Sequence, residues 1–260
     1  MAYHIVATME DPTQRFSSRV EDYIRYRPSY PDSVIDWLSR QCGLAPQSRV
    51  ADIGSGTGIF STLLLRFGCS VAGVEPNAAM RAAAENLLAG EPRFHSVDGR
   101  AEATALPNAG VDFVTAGQSF HWFDIEPTRA EFRRILAPPG WVAMVWNERL
   151  VPPGFLTEYE AMLQRISEDY GRVDHRQFDA AKIAEFFGHQ DWLSAGFPNH
   201  QDLDWEALRG RLLSSSYAPL PGSPKYAPMM EEVESMFARY QEGGTVKVMY
   251  ETKVYAGKLW

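Results

Sequence analysis

A glycine-rich turn directly after a short apolar run is the first sign of chemistry in this sequence. Residues 50–58 read VADIGSGTG, which places Gly54, Gly56 and Gly58 where a strand passes into a helix. Glycines at such a turn let the backbone bend sharply and bring its amides close to a ligand at the helix N-terminus. A dinucleotide site is typified by G-x-G-x-x-G, and here the third glycine comes one residue early. Asp52 adds a negative charge that suits a cationic ligand better than a pyrophosphate.

A single acid follows the next predicted strand. Glu75 lies 21 residues after Gly54, about where a carboxylate accepts two hydrogen bonds from a ribose diol. This feature fits NAD and S-adenosylmethionine equally. A surface carboxylate is the alternative, but Glu75 ends a buried strand and Pro76 fixes the turn that follows. We therefore predict that Glu75 binds a ribose.

A third group of chemically capable side chains comes after the predicted strand Val111–Ala116, where residues 117–123 read GQSFHWF. His121 has the pKa range of a general base for a hydroxyl or amine acceptor, and the alternative is a loop residue packed beside Trp122. Trp122 and Phe123 are predicted to form the wall of an acceptor pocket. The nearest acid, Asp124, has no clustered partners, so we predict no metal.

These three groups require strands and helices that alternate along the chain. Short buried strands are predicted at Arg49–Ile53, Ser70–Val74, Arg93–Val97, Val111–Ala116 and Trp141–Trp146, and intervening helices at Ile59–Phe67, Asn77–Leu88 and about Pro127–Leu136. Strands that alternate with helices of this length indicate a parallel sheet covered on both faces. The predicted fold class is a doubly wound, mostly parallel α/β sandwich.

The flanking segments lack this alternation. Apolar spacing predicts a helix over Phe16–Arg27 that Pro28 stops, and a second helix from about Pro31 to Cys42. Later segments are predicted as two helices of an insertion, a loop and an antiparallel edge strand, at Phe155–Tyr170, Ala180–Phe187, Ser214–Ser223 and Thr245–Leu259 respectively. The predicted organisation is an N-terminal helical lid (1–44), an α/β core (45–150), a helical insertion or cap (151–200) and a C-terminal part that completes the sheet (201–260).

Composition excludes several classes of function. The 260 residues carry 25 basic and 33 acidic side chains, a net charge of −8 that disfavours general nucleic-acid binding. Cys42 and Cys69 form no metal-ligand pattern and indicate buried thiols in a reducing compartment. No charge-free run reaches the ~18 residues that span a bilayer, and Glu10 and Asp11 do not fit a signal peptide. We expect a cytoplasmic protein that acts on a small molecule.

The motifs together resemble the class I S-adenosylmethionine-dependent methyltransferases. The resemblance is carried by residues 52–58, by Glu75 and by the run GRAE over 99–102, which Leu106 and Pro107 follow. Two further phrases, one from Phe16 to Pro31 and one over 118–123, are similar to the small-molecule branch that includes trans-aconitate methyltransferase-like proteins. The resemblance implies a Rossmann-like fold and S-adenosylmethionine as the cofactor.

The resemblance also implies roles for single residues around the cofactor. Gly54 and Gly56 would line its methionine part over a loop that Asp52 orders, and Glu75 would hold the ribose hydroxyls. The adenine would meet the stretch Arg100, Ala101 and Glu102, with Ala101 acting through its backbone. Met80 would pack near the adenine, and the favoured alternative for Met80 is ordinary packing in the helix core. Arg100 departs from the acid common at that position. Gln118 would sit beside the reacting sulfur.

The N-terminal helix has two readings. Spacing alone favours an ordinary packed helix face for Phe16, Tyr23 and Arg27, whereas the resemblance implies a lid. In the lid, Arg27 would lie near the cofactor carboxylate, and Tyr23 or Tyr30 would face the acceptor. Tyr30 and His121 are accordingly the predicted catalytic residues.

The predicted reaction is the transfer of a methyl group to a small molecule with a carboxylate, hydroxyl or amine nucleophile. Transfer from a sulfonium mainly demands a nucleophile held ~3 Å from the methyl carbon. Two alternatives stay open, which are an NAD(P)-dependent oxidoreductase and an S-adenosylmethionine-binding protein that has lost its transfer activity. The early third glycine and Asp52 oppose the oxidoreductase.

Overall fold

The computed structural model describes residues 24–166, 180–189, 191–215 and 217–260. Its strands are Arg49–Ile53 (β1), Ser70–Val74 (β2), Phe94–Val97 (β3), Val111–Gly117 (β4), Leu136–Arg149 (β5), Leu193–Leu203 (β6) and Val246–Gly257 (β7). Its helices are Ser33–Cys42 (α1), Ile59–Phe67 (α2), Ala78–Leu87 (α3), Ile125–Ile135 (α4), Phe155–Ile166 (α5), Ala180–Phe187 (α6), Trp205–Leu213 (α7) and Tyr226–Tyr240 (α8). A 3₁₀ turn, Phe120–Trp122, follows β4.

The strands form one seven-stranded sheet in the order β3-β2-β1-β4-β5-β7-β6. Strands β1 to β5 pair in parallel, and β7 and β6 join antiparallel beyond β5. The order reverses between β1 and β4, and ligands bind outside the carboxyl ends of strands at such a point. The predicted doubly wound, mostly parallel α/β fold is confirmed.

Helices pack on both faces of this sheet, and the side chains of its central strands β1 and β4 are mostly buried. On one face α1 and α2 pack on the strands through an apolar cluster that includes Leu38, Leu64 and Val254. On the other face α4 and α6 do so through Phe132 and Phe186. A third cluster joins α5, α7 and α8 to the start of β7.

One predicted detail of the sheet is wrong. The C-terminal strand was predicted at the edge over Thr245–Leu259, but β7 lies between β5 and β6, and β6 forms the edge. This edge strand, Leu193–Leu203, falls mostly inside the segment predicted as a helical insertion (151–200). Gly196, Pro198 and Asn199 give it weak strand propensity, and proline is tolerated in a strand that lacks a neighbour on one side.

The structure bears on which residues of the segment 1–44 could form a lid. Helix α1 lies within the segment predicted as the lid (1–44), but Val34, Ile35 and Leu38 are buried in the core cluster that also holds β1. Helix α1 therefore belongs to the sandwich itself, and the lid hypothesis concerns only the residues before it. Of the predicted helix Phe16–Arg27, the structure describes the part from Ile24 onward.

Candidate functional site

The glycine-rich turn lies at the carboxyl end of β1. Gly54, Gly56 and Gly58 have φ values of 65°, 55° and 85°, in the left-handed region that side chains disfavour. The amide of Gly54 donates to the carbonyl of Val74 at 2.8 Å, which ties the turn to β2. A Cβ on Gly54 would lie 2.5 Å from that of Ser119, so only glycine fits there.

Asp52 anchors this turn from below. Its side chain is 1% exposed, Oδ2 accepts a hydrogen bond from Ser61 Oγ at 2.7 Å, and Oδ1 accepts one from Thr115 Oγ1 at 3.0 Å. Burial raises the pKa of Asp52 to about 6, and the bonds from Ser61 and Thr115 oppose this shift. Asp52 thus joins β1 to α2 and β4, which supports its predicted role in ordering the loop.

Glu75 is buried beside the same turn. Oε2 accepts the amide of Gly56 at 3.0 Å, and Oε1 accepts the amide of Asn77 at 2.9 Å. Burial raises the pKa of Glu75, while these two amide bonds lower it. Each oxygen of an ionised carboxylate has about two acceptor positions, so each can accept a ligand hydroxyl as well. This geometry is compatible with the predicted ribose contact.

Two cavities open at this edge of the sheet and share Gly54, Gly56, Gly117 and Gln118. The larger, of about 920 Å³, is also lined by Glu75, Pro76, Asn77, Met80, Arg100, Ala101, Glu102, Ser119, Trp122 and Phe123. The smaller, of about 470 Å³, is also lined by Arg27, Pro28, Tyr30, Asp52, Ser55, Thr57, Ile59, Phe60 and Asn147. The structure thus gathers most of the predicted site residues around one pair of adjoining cavities.

Gln118 stands where the cavities meet. Its φ of 56° is unusual for a residue with a side chain and is fixed by the bond from its amide to the carbonyl of Val145 at 2.9 Å. Its Nε2 lies 3.5 Å from the carbonyl of Asn147. Its Oε1 is buried, and no hydrogen-bond donor of the described chain reaches it. A buried acceptor left in this way indicates that a bound molecule supplies the donor.

The predicted adenine residues lie together in the larger cavity. Arg100 and Ala103 exchange backbone hydrogen bonds of 3.1 and 3.0 Å, which form a tight turn around Ala101. Ala101 is buried, and Glu102 accepts the amide of Asp124 through Oε1 at 3.1 Å. Met80 is buried and lines the same cavity. The stretch Arg100–Glu102 therefore faces Glu75 across a shared space, as the resemblance implies.

The aromatic segment after β4 is only partly in the cavity. Trp122 and Phe123 line the larger cavity, together with the predicted cofactor residues. His121 is not among the described residues that line either cavity, and its ring lies 4.7 Å from that of Trp122. The role of His121 as a base therefore stays a prediction.

The predicted lid residues separate into two groups. Arg27 and Tyr30 line the smaller cavity, and the Tyr30 ring packs edge-on against Phe60 at 4.9 Å. Tyr23 lies outside the described residues, as do Phe16 and Val20. Arg27 Nη2 donates to the carbonyl of Ser214 at 2.9 Å, so this segment contacts the C-terminal part of the chain.

Asn147 is a site residue that the sequence analysis missed. It lies near the end of β5 at the wall of the smaller cavity, and its Nδ2 donates to the carbonyl of Ser29 at 3.2 Å. The same carbonyl accepts Asn199 Nδ2 at 2.8 Å, and Asn147 Oδ1 accepts Thr252 Oγ1 at 2.5 Å. A signal was present, since Asn147 directly follows a predicted strand.

We expect Asn147→Ala to lower the free energy of unfolding by about 1 kcal/mol, because it breaks bonds to Ser29 and Thr252 inside the protein. Urea unfolding measures this change. Asn108→Ala is the matched control, because Asn108 is exposed and bonds only Arg134 among the contacts that the structure describes. Equal stability of the two variants would show that the hydrogen bonds of Asn147 to Ser29 and Thr252 do not stabilise the fold.

The residues that the structure describes contain no group of three or more His, Cys, Asp or Glu side chains that could hold a metal ion. In the same residues, no helix is long and apolar enough to cross a membrane.

Comparison with known proteins finds methyltransferase sequences and structures. Residues 51–144 match the family model described as a methyltransferase domain. An uncharacterized methyltransferase of Mycobacterium bovis is 36% identical over 163 residues, which span 62% of this chain and 63% of that relative. An uncharacterized methyltransferase-like protein of Schizosaccharomyces pombe is 27% identical over 94% of both chains. A solved structure from Anaeromyxobacter dehalogenans shares the fold, with a TM-score of 0.63, 24% identity, and coverage of 90% of this chain and 98% of that one.

Proposed function

We propose that this chain is a class I S-adenosylmethionine-dependent methyltransferase and that it transfers a methyl group from S-adenosylmethionine to a small-molecule acceptor. The observation that carries the proposal is the pair of cavities that meet at Gln118, with Glu75 in one and Asn147 in the other. The narrower resemblance to trans-aconitate methyltransferase-like proteins stays a prediction.

The residues present fit the cofactor. Glu75 has free acceptor positions for the ribose hydroxyls, and the turn at Ala101 lies in the same cavity for the adenine. Gly54 and Gly56 would line the space for the methionine part. The buried Oε1 of Gln118 can accept a hydrogen bond from the cofactor or from the molecule that receives the methyl group. The cofactor supplies a methyl group that its sulfonium has already activated.

The protein's own contribution is to bind the two reactants, to orient them and to exclude water from the site. Gln118, held by its backbone bond to Val145, fixes one wall of the space where the reacting groups meet. A carboxylate acceptor needs no base. For a hydroxyl or amine acceptor, we propose that His121 takes the proton, and that Tyr30, which lines the smaller cavity, faces the acceptor and orients it.

Thermal-shift measurements test the cofactor. S-adenosylmethionine and S-adenosylhomocysteine are expected to stabilise the protein, and NADH is not, since the glycine spacing and Asp52 oppose a dinucleotide. Stabilisation by NADH alone would favour the oxidoreductase. A transfer screen over acids, amines and phenols then separates an active enzyme from a protein that only binds the cofactor.

Activity is expected to survive treatment with EDTA, because Gln118 has no acid cluster beside it in the described part of the chain. The measurement is turnover of an acceptor found in that screen, with and without chelator. Loss of turnover that magnesium restores would show that this edge of the sheet uses a metal.

We also propose a cytoplasmic location and no nucleic-acid partner. Both cysteines are free and buried, and burial raises the pKa of Cys42 to about 12 and that of Cys69 to about 11. Buried thiols of this kind are typical of a reducing compartment. The net charge of −8 opposes long-range attraction to a polyanion. The division into four segments at 44, 150 and 200 stays a proposal.

A further inference from the structure

A cluster of arginine and tyrosine side chains lies next to the smaller cavity, and apart from Arg27 none of its members belongs to the proposed cofactor site. We call it the arginine cluster; its members are Arg27, Arg149, Arg211, Tyr159, Tyr217, Tyr250 and Glu160. Tyr159, Tyr250 and Glu160 are buried, and the other four members are half-buried. Cationic side chains withdrawn from water in this way need negative partners.

Strand geometry connects this cluster to the cavity. Arg149 follows Asn147 by two residues on β5, so both side chains point to the same face of the sheet, about 7 Å apart along the strand. Their partners on β7 repeat the relation, since Asn147 pairs with Thr252 and Arg149 pairs with Tyr250. Asn147 lines the smaller cavity, and Arg149 therefore lies two residues further along β5, just beyond the cavity wall.

A second connection runs through the segment after α7. Arg27 lines the smaller cavity, and its Nη2 donates to the carbonyl of Ser214. The next residue, Ser215, accepts a hydrogen bond from Arg211 Nη1 at 3.1 Å through Oγ. Arg27, which lines the smaller cavity, and Arg211 are therefore hydrogen-bonded to the adjacent residues Ser214 and Ser215.

The charges of the cluster are not balanced at Arg211. Arg149 forms an ion pair with the buried carboxylate of Glu160 and stacks its guanidinium on the Tyr159 ring at 5.2 Å. Arg211 forms no ion pair with a carboxylate in the described chain, and its buried Nε has no hydrogen-bond acceptor there. The Arg211 side chain also forms a hydrogen bond with Tyr250, and the unused Nε–H of this half-buried guanidinium can donate a charge-assisted hydrogen bond to an anion.

Tyr217 reports the same positive surroundings. Burial raises the pKa of its phenol, but the guanidinium groups of Arg149 and Arg211, a hydrogen bond with Ser215 and the charge of Arg27 oppose this shift, and the net direction is downward. The positive charges and this hydrogen bond together outweigh the cost of burying a phenolate at this point. An anionic group of a bound molecule would be stabilised by the same charges.

We propose that the arginine cluster binds an anionic group of the methyl acceptor, a carboxylate or a phosphate, with Arg211 as its main ligand. This inference rests on the proposed function. Arg149 and Arg211 line neither cavity, so the anion that they bind is an anchor, and the methyl group goes to a different atom of the same molecule. The acceptor class is therefore a small anion that carries a second, nucleophilic group.

The test is calorimetry on the full-length protein saturated with S-adenosylhomocysteine. The probes are succinate, glutarate and adipate, their neutral diamides, and inorganic phosphate, which separates the two sources of anion. At least one dicarboxylate or phosphate is expected to bind at least about tenfold more tightly than the diamides, because a hydrogen bond to a charged group is worth about one decade or more in affinity. Anions that bind no better than the diamides would overturn the proposal without any variant.

Variants then assign the site to Arg211. Arg211→Gln is expected to weaken binding of the anion about tenfold or more and to change the affinity for S-adenosylhomocysteine less than threefold. Arg211→Lys should bind the anion with an affinity between those of the wild type and Arg211→Gln, since lysine keeps the charge but lacks the planar guanidinium. The control is Arg239→Gln, because Arg239 is an exposed arginine paired with Glu158 on α5.

The outcomes separate this proposal from the proposed function. A wild-type protein that binds no S-adenosylhomocysteine would contradict the methyltransferase activity itself. Normal binding of S-adenosylhomocysteine by Arg211→Gln, with the anion bound as in the wild type, would overturn the anion site alone. Thermal unfolding of each variant identifies a loss of fold, and in that case the comparison of anions with diamides on the wild type still decides.

Discussion

Replacing Glu75 with alanine is expected to raise the dissociation constant for S-adenosylmethionine about 10- to 150-fold. Hydrogen bonds to a charged group are worth ~1.5–3 kcal/mol, and each 1.4 kcal/mol is a factor of ten. The variant also leaves the amides of Gly56 and Asn77 without their carboxylate partner, which loosens the turn. Calorimetry measures the change, and a change of less than about threefold would contradict the ribose assignment.

A modified ligand separates the ribose contact from this loosening. The 2′-deoxy form of S-adenosylhomocysteine is expected to bind the wild type more weakly than the parent compound, because one hydroxyl is missing. In Glu75→Ala the two compounds should bind alike, since the acceptor of that hydroxyl is gone. Glu85→Ala is the control, because Glu85 is exposed on α3 and lines neither cavity. An equal penalty in wild type and variant would show that Glu75 acts on the turn only.

Asp52 is expected to reduce the stability of the folded protein as the pH rises. Burial raises its pKa from 3.8 to about 6, so between these values the folded chain binds more protons than the unfolded chain. The contribution of this group is therefore favourable at low pH and is lost as the pH rises through about 6. Relative to Asp52→Asn, the wild type should lose about 1.4 kcal/mol of unfolding free energy between pH 5 and pH 7.5.

Urea unfolding of both proteins at the two pH values measures this difference. The control is Asp112→Asn, because the hydrogen bond from Arg49 lowers the pKa of Asp112 and leaves it ionised at both values. The difference between wild type and Asp112→Asn should therefore stay constant. A constant difference for Asp52→Asn as well would show that Asp52 is not destabilised by its burial.

Much of the sheet could be predicted because its signals are local. The strand Arg49–Ile53 is apolar and is followed at once by glycines, and the structure has β1 with the same bounds. The same holds for Ser70–Val74 and for the helix Ile59–Phe67, which Gly68 ends in a left-handed conformation. Buried parallel strands carry their signal within about five residues, so no distant contact is needed to identify them.

The antiparallel end of the sheet could not be predicted in full. Strand β6 contains Gly196, Pro198 and Asn199, and most of its side chains are at least partly exposed. What makes it a strand is its pairing with β7 over its whole length, from Leu193–Ala256 to Leu203–Val246. Those partners lie more than 40 residues away in the sequence, and local propensity contains no trace of them.

The candidate site shows the same division between local and distant information. The amino-acid sequence by itself predicted the glycine turn and Glu75 as site residues, because each directly follows a parallel strand and all such ends meet at one edge, and the resemblance added Gln118. The structure brings all three to the same pair of cavities. Only the tertiary structure decided that Trp122 lines a cavity that does not include His121, although the two are neighbours in the chain. Both residues belong to the 3₁₀ turn Phe120–Trp122, which sets the directions of their side chains.

Asn147, Arg149 and Arg211 show what folding adds to the sequence. Asn147 contacts Ser29, which precedes it by 118 residues, and Arg211 joins Arg149 only because α7 packs beside the end of the sheet. Each of these side chains is ordinary in its local sequence, where arginine and asparagine are typical of solvated surfaces. Sequence spacing and the resemblance predicted the residues proposed to bind the cofactor, since most of them lie near a strand end. Long-range packing determined the residues proposed to approach the acceptor, since four separate segments must meet before their charges act together.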